Sequence, residues 1–425
     1  MKRIWLLILL CVVFAADIYA AGERAVGVKR PKVALVLCGG GAKGAAHVGA
    51  LRVMEQAKVP IDMIVGTSIG GLVGGMYAMG YNARQLDSIF LVSDWRYLLS
   101  DNSYSRKDES FATKMGDTKY LVKIPFHSFS ASRNTEREGS PISKLPSGFI
   151  SGQNVLNYLN GLSVGYQEPM SFSRLPIPFA CVAADLSTGE QVVLNEGVLP
   201  IAMRATMAIP GVFSPVELGG KVLVDGGITN NFPVDVARGM GADIVIGIDI
   251  QNDSPGVENL KSIPQVISQL SGLMGHVAYK KNVQDVDILI KPDVSNYSTY
   301  SFNREAIQQL IINGHTAAMA KYHQLDSLAK AINAMEPHKE LSPVAPPKAT
   351  QVTKDTFNFR NVEIRGARSE NVHWLRRLSG LRPGVKLSGN DINRGVSILM
   401  GTKAFSSVNY TVHGKGTDNE TLVVD

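Results

Sequence analysis

Short, continuously apolar runs restrict this chain more than any other feature. They are "KVALVL" (32–37), "IDMIVG" (61–66), "PIPFACVAAD" (176–185), "KVLVD" (221–225), "ADIVIGIDI" (242–250) and "VDILIKP" (286–292). None shows the alternation of a strand with one wet face, so each predicts a strand covered on both sides. Helical spacing fills much of the intervening sequence. Val48, Leu51, Val53 and Met54 give one helix its apolar face, and "IGGLVGGMYAMG" reads as another. "PVDVARGMG" and the long stretch "NREAIQQLIINGHTAAMAKYHQLDSLAKAINAM" add one helix and then one or two more. "TGEQVVL" reads as the hairpin partner of "PIPFACVAAD". Strands alternating with helices predict an α/β fold with a mostly parallel central sheet between helical layers.

The chain has 425 residues, enough for two or three domains. Residues 1–21 read as a signal peptide, because Lys2 and Arg3 precede an apolar run, Ile4 to Ala16, that is short for a membrane span. The expected destination is the periplasm, outer membrane or cell surface. Cys38 and Cys181 lie in apolar strand-like runs and read as buried thiols. No Cys/His cluster suggests a metal. A net charge of +6 allows contact with an anionic membrane surface but does not argue for nucleic acid.

Residues 30–336 read as the main domain. Within it the periodicity degrades between Asp94 and Gly148, where "KYLVKIPF" is a candidate strand and the excursion a candidate substrate flap. A proline-rich linker is expected over 337–356, followed by a small α+β unit over 357–425. That unit reads as strand "FRNVEIRG", helix "SENVHWLRRLSG", helix "NDINRGVSILMGT", then strands "SSVNYTVHG" and "TLVVD".

Three glycine-centred stretches follow strands. Gly39-Gly40-Gly41-Ala42-Lys43-Gly44 opens a helix, so its amides form a nest for an oxyanion. A phosphate loop is the rival reading, but Lys-Ser/Thr is absent where that loop requires it. Gly66-Thr67-Ser68-Ile69-Gly70 matches G-x-S-x-G between a strand and a helix, the setting of a nucleophilic serine on a sharp turn. Asp225-Gly226-Gly227 ends a strand with a carboxylate that can approach another backbone. Its competitors are Asp185, which starts a hairpin turn, Asp235, at a helix start, and Asp62, which points away from the serine.

No histidine sits where a hydrolase triad needs one. His47 lies in the first turn after the glycine loop and reads as packing; His276, His315 and His323 lie in helix-like runs. His127 falls in the excursion, His338 in the linker, and His373 and His413 in the small unit. A serine–carboxylate pair is chemically sufficient if burial raises the basicity of the carboxylate.

As a set, these motifs resemble the patatin-like phospholipase family, whose pattern is G-G-G-x-[KR]-G, G-x-S-x-G and D-G-[GA]. The resemblance spans Lys32 to Met335, and "ATMAIPGVFSPV" and "ADLSTGE" are similar to bacterial members. It implies a three-layer α/β/α fold and metal-free, cofactor-free hydrolysis of lipid acyl esters. In that reading Ser68 is the nucleophile and Asp225 its base. The 39–44 amides form the oxyanion hole, with Lys43 positioning the loop. The small unit resembles a polypeptide-transport-associated (POTRA) domain in element order and in Thr402, Phe405 and Val408 before its later strands. In bacteria such an arrangement usually precedes an outer-membrane β-barrel, so the sequence reads as a fragment of a longer protein, with a barrel-less protein as the alternative. A catalytically silent scaffold that binds lipid or a protein partner is the competing functional reading. Lipid head group, acyl length and oligomeric state are not legible.

Overall fold

A computed structural model describes residues 30–101, 150–251, 273–335 and 356–425, without 403, 406, 415, 416 and 418. The signal peptide, "KYLVKIPF", the linker, His127 and His338 lie outside the described residues. The six apolar runs all form strands of one sheet. In chain order the strands of the main domain are β1 (Val33–Leu37), β2 (Met63–Thr67), β3 (Met170–Ser171), β4 (Phe179–Asp185), β5 (Gln191–Leu194), β6 (Glu196–Gly197), β7 (Val216–Leu218), β8 (Lys221–Asp225), β9 (Ile244–Ile248) and β10 (Ile288–Ile290). The helices are α1 (Ala45–Gln56), α2 (Ile69–Ala78), α3 (Ala83–Val92), α4 (Trp95–Leu98), α5 (Gln153–Leu162), α6 (Leu199–Thr206), α7 (Val234–Gly239), α8 (His276–Gln284), α9 (Arg304–Met319) and α10 (Tyr322–Met335).

The eight-stranded sheet has the order β10-β9-β1-β2-β4-β8-β7, with β5 also paired to β4. From β10 to β4 the strands are parallel, and β1, β2 and β4 are buried along their whole length, which is why their sequences lack alternation. Beyond β4 the sheet is mixed. β8 runs antiparallel to β4, β7 antiparallel to β8, and β5 antiparallel to β4. Two hairpins cause this: "STGE" turns β4 into β5, and Gly219-Gly220 turn β7 into β8. Expecting a mostly parallel sheet was right for its centre and missed the reversed β8.

Helices cover the parallel part. α1 and α9 cross closely, because a Cβ on Gly49 would lie 1.9 Å from the Ile311 carbonyl oxygen, and one on Gly314 would lie 1.9 Å from that of Ala46. α3 starts at a reciprocal capping box between Asn82 and Gln85. α3, α4, α5 and α6 carry weak sequence signals and were not anticipated. No helix among the described residues is long and apolar enough to cross a membrane.

The small unit has its own apolar core around Phe359, Leu375, Val396 and Leu422. Its elements are β11 (Thr356–Asn358), β12 (Asn361–Ile364), α11 (Ser369–Ser379), β13 (Lys386–Ser388), α12 (Gly389–Gly401), β14 (Tyr410–His413) and β15 (Thr421–Val424). β15 lies between parallel β12 and antiparallel β14. The expected strand–helix–helix–strand–strand order is present, with one addition: β11 pairs with β13, and both are too short to leave a pattern. The run "SSVNYTVHG" supplies a strand only over Tyr410–His413.

Candidate active site

Two strand ends meet on one edge of β4. In the ladders Thr67 of β2 faces Val182, and Asp225 of the reversed β8 faces the next residue, Ala183. Ser68, directly after β2, and Asp225, at the end of β8, therefore arrive from opposite directions. The Ser68 hydroxyl donates to Oδ2 of Asp225 at 2.5 Å, and the Gly227 amide donates to Oδ1 at 2.8 Å. Both residues are 6% exposed. Burial pushes the Asp225 carboxyl up to about 6, against the opposing effect of its bonds from Ser68 and Gly227. At neutral pH it is mostly ionised, yet far more basic than a solvated aspartate.

Ser68 takes φ 56° and ψ −126°, a conformation that costs on the order of 1–3 kcal/mol outside glycine. Three contacts hold it. The Ser68 amide donates to Oγ1 of Thr206 at 2.9 Å, the Thr206 hydroxyl donates to the Val182 carbonyl, and Oγ1 of Thr67 donates to the Asn230 carbonyl at 2.8 Å. The flanking glycines of the motif are forced by approach. A Cβ on Gly66 would lie 2.4 Å from the Gly70 carbonyl oxygen, and one on Gly70 would lie 2.2 Å from that of Leu37. The turn folds tightly enough that neither site has room for a side chain.

The glycine loop passes directly over the serine, since a Cβ on Gly39 would sit 3.0 Å from that of Ser68. Its amides are not equivalent. Gly39 donates to the Asn231 carbonyl, Ala42 to that of Thr299 and Lys43 to that of Gly40. The Gly40 and Gly41 amides donate to no acceptor among the described residues, and Gly41 lines the same pocket as Ser68. Gly41 has φ 58°, and a Cβ there would meet the Thr299 carbonyl oxygen at 2.3 Å. Residues 41–44 form a turn of 3-10 helix that leads into α1.

Beneath the loop lies a buried polar layer. The Asp249 carboxylate, fully buried, accepts from the Tyr279 hydroxyl at 2.6 Å and from the Cys38 thiol at 3.5 Å, while the Ile250 amide donates to the Cys38 sulfur. Lys43 is 8% exposed, with its Cε against Gly40. Burial lowers its ammonium pKa, and the neighbouring Cys38 and Asp249 oppose that shift. Cys38 and Cys181 are both buried free thiols.

The other candidates fall elsewhere. His47 is fully buried, its Nε2 2.9 Å from the Cys38 carbonyl oxygen, and burial drops its pKa to about 4. It supports the loop from below. Asp185 accepts from the Ser187 amide in its hairpin turn, Asp62 pairs with Arg30, and Asp235 accepts from Asn230 and Asn282. No group of three or more His, Cys, Asp or Glu side chains able to hold a metal occurs among the described residues.

An apolar pocket opens at Ser68, walled by residues such as Leu72, Met76, Phe90, Leu159, Met207 and Phe213. Sequence reading missed this wall, because its residues come from segments far apart in the chain. It also missed Thr206 and Asn231. Thr206 lies in "ATMAIPGVFSPV", noted only as a likeness, and Asn231, whose side chain donates to the Gly39 carbonyl at 3.3 Å, is one of two adjacent asparagines just after "DGG".

Residues 35–238 match the model of the patatin-like phospholipase family. It is 30% identical over 236 residues to an uncharacterized NTE family protein of Mycobacterium tuberculosis, covering 56% of this chain and 54% of that protein. It is also 30% identical over 220 residues to patatin-like phospholipase domain-containing protein 6 of Homo sapiens, covering 51% of this chain and 13% of that protein. The chain thus spans about half the length of the mycobacterial relative and a small part of the human one. Among solved structures it is similar to VipD from Legionella pneumophila, at 15% identity and a TM-score of 0.39, covering 69% of this chain and 67% of that one.

Proposed function

We propose that the protein is a serine acyl hydrolase of phospholipids or related lipids, working through Ser68 and Asp225 without a histidine. The observation that carries this reading is the 2.5 Å bond from the Ser68 hydroxyl to a buried carboxylate whose pKa is pushed up to about 6. Asp225 takes the Ser68 proton as Oγ attacks the ester carbonyl. The resulting oxyanion is held by the free Gly40 and Gly41 amides, narrowing the six-residue loop to two donors. Collapse expels the alcohol portion, which takes the proton from Asp225, and leaves an acyl group on Ser68. Water, deprotonated by Asp225, then attacks the acyl carbon, and collapse releases the fatty acid and Ser68 Oγ, which takes the proton back from Asp225. The apolar pocket at Ser68 accounts for the acyl chain as the recognised part, and the family model supports lipid ester hydrolysis.

The setting follows the same reading. The N-terminal signal-like segment motivates export, and the element order of residues 356–425 motivates a POTRA-like unit beside an outer-membrane partner. The test is lipid hydrolysis with product identification, together with fluorophosphonate labelling of the protein and of Ser68→Ala. Stoichiometric labelling at Ser68, and loss of fatty-acid release by at least about 10⁴-fold in the variant, are expected. An unlabelled Ser68 with no fatty acid released would leave a lipid-binding scaffold instead.

A further inference from the structure

α5 is a wall with two occupied faces. Val155, Tyr158, Leu159 and Leu162 line the pocket that opens at Ser68. At 100° per residue these fall on one side of the helix, and Gln153, Asn157 and Gly161 fall on the other. That other side meets the small C-terminal unit. The Gln153 side chain donates to the Val408 carbonyl at 2.7 Å and accepts from the Val408 amide at 3.1 Å, a reciprocal pair resembling one step of a strand ladder. Asn157 donates to the Ser397 hydroxyl at 3.1 Å, and Gly161 sits against Asn393. Just past the helix, the Val412 amide donates to the Gln167 carbonyl and the Gly414 amide to the Glu168 carboxylate.

This contact is not a loose surface touch. Gln153 is 7% and Val408 2% exposed, so separating the two units would strand buried amide groups unless water replaced every bond. The ends of α5 are tied to the main domain. Arg204 donates to the Ser151 carbonyl before it, and Tyr81 donates to the Leu162 carbonyl at its last residue. Its middle is backed by α12.

We propose that the C-terminal unit is a structural part of the acyl pocket: through Gln153 and Asn157 it positions α5, and so sets how well long acyl chains are held. The proposal rests on reading the pocket as the acyl site. Ile69 and Leu72 line the pocket in the first turn of the helix that Ser68 opens, so short chains are expected to depend on them and long chains on the α5 wall. By linkage, whatever shifts the C-terminal unit shifts long-chain affinity, and long acyl chains stabilise the docked unit in return.

The test uses the full chain. In a Ser68→Ala background, palmitate binding is measured by displacement of a fluorescent fatty acid, with Gln153→Ala or Ser397→Ala added. Palmitate is expected to bind about tenfold more weakly with Gln153→Ala and about threefold more weakly with Ser397→Ala, which removes one hydroxyl on the C-terminal side. With Ser68 intact, both variants should lose hydrolysis of p-nitrophenyl palmitate relative to p-nitrophenyl butyrate. Unchanged palmitate affinity in folded Ser397→Ala and Gln153→Ala, equal loss for both esters, or no palmitate binding at all would each overturn the proposal. Altered palmitate binding in a protein that hydrolyses neither ester would keep it and sink the hydrolase reading.

Discussion

Asp185 and Asp225 look alike in sequence and locally in structure. Each ends an apolar strand, each is 6% exposed, and each accepts from the amide two residues on, at 2.9 Å from Ser187 and 2.8 Å from Gly227. They even sit in the same ladder, where Asp185 faces Leu223 and Asp225 faces Ala183. The ladder is antiparallel, so the two carboxylates lie at its opposite ends. One end continues into the β4–β5 hairpin. The other runs into the end of β2, where the Ser68 hydroxyl occupies the second carboxylate oxygen. A short-range turn motif satisfies one oxygen, and strand direction decides what the other one meets.

The largest effect expected from breaking this contrast is on turnover. Asp225→Asn keeps an acceptor for Gly227 but cannot take a proton, and should lower kcat/KM by about 10³-fold or more; Asp185→Asn should stay within about threefold. Steady-state hydrolysis of a soluble ester compares the two directly. Gly41→Ala comes next. Its Cβ would collide with the Thr299 carbonyl and displace a free amide, so a loss of about 10²-fold in kcat is expected, with a smaller change in KM. Thr206→Val removes the acceptor for the strained Ser68 amide and should cost about tenfold in kcat, read together with a lowered Tm.

Titration sharpens the same comparison. In the proposed mechanism Asp225 acts in its ionised form, so kcat/KM should fall tenfold per pH unit below about 6 and level off above it. The stability term has the opposite sense. The folded pKa of Asp225 lies above its unfolded value, so its contribution is full below about pH 4 and is lost as pH rises through about 6. Asp225→Asn should therefore be more stable than the parent at pH 8 by on the order of 2 kcal/mol, and nearly equal at pH 4. His47 acts the other way: its folded pKa is depressed to about 4, so stability it provides above about pH 6.5 is lost as pH falls toward 4. Without Asp225 to offset it, that acid-side loss should be steeper in Asp225→Asn than in the parent, as thermal melts across pH 4–8 would report. Asp185→Asn should shift the whole curve by under about 0.5 kcal/mol.

What could be read from residues alone was whatever repeats or strains locally. Runs such as "KVALVL" and "ADIVIGIDI" announced buried strands because both their faces are apolar. The glycine loop and the Ser68 turn were legible because only glycine tolerates backbone carbonyls that close, as at Gly41 and Gly70. Of the helices that wall the pocket, α2 was legible and α3, α4 and α5 were not; α5, for one, buries one face against the pocket and carries polar residues that look solvent-directed on the other. Gln153 and Asn157 read as surface until the C-terminal unit is in place.

The sequence by itself determined a serine on a strained turn, an amide-rich loop beside it and a short set of carboxylates without a suitable histidine. Only the tertiary structure brought Asp225, rather than Asp62, Asp185 or Asp235, against Ser68, spent His47 on the Cys38 carbonyl and left two loop amides without an acceptor among the described residues. The physical reason is that hydrogen-bond partners across a sheet depend on strand direction and register, and basicity depends on burial, neither of which is carried by any one segment of the chain.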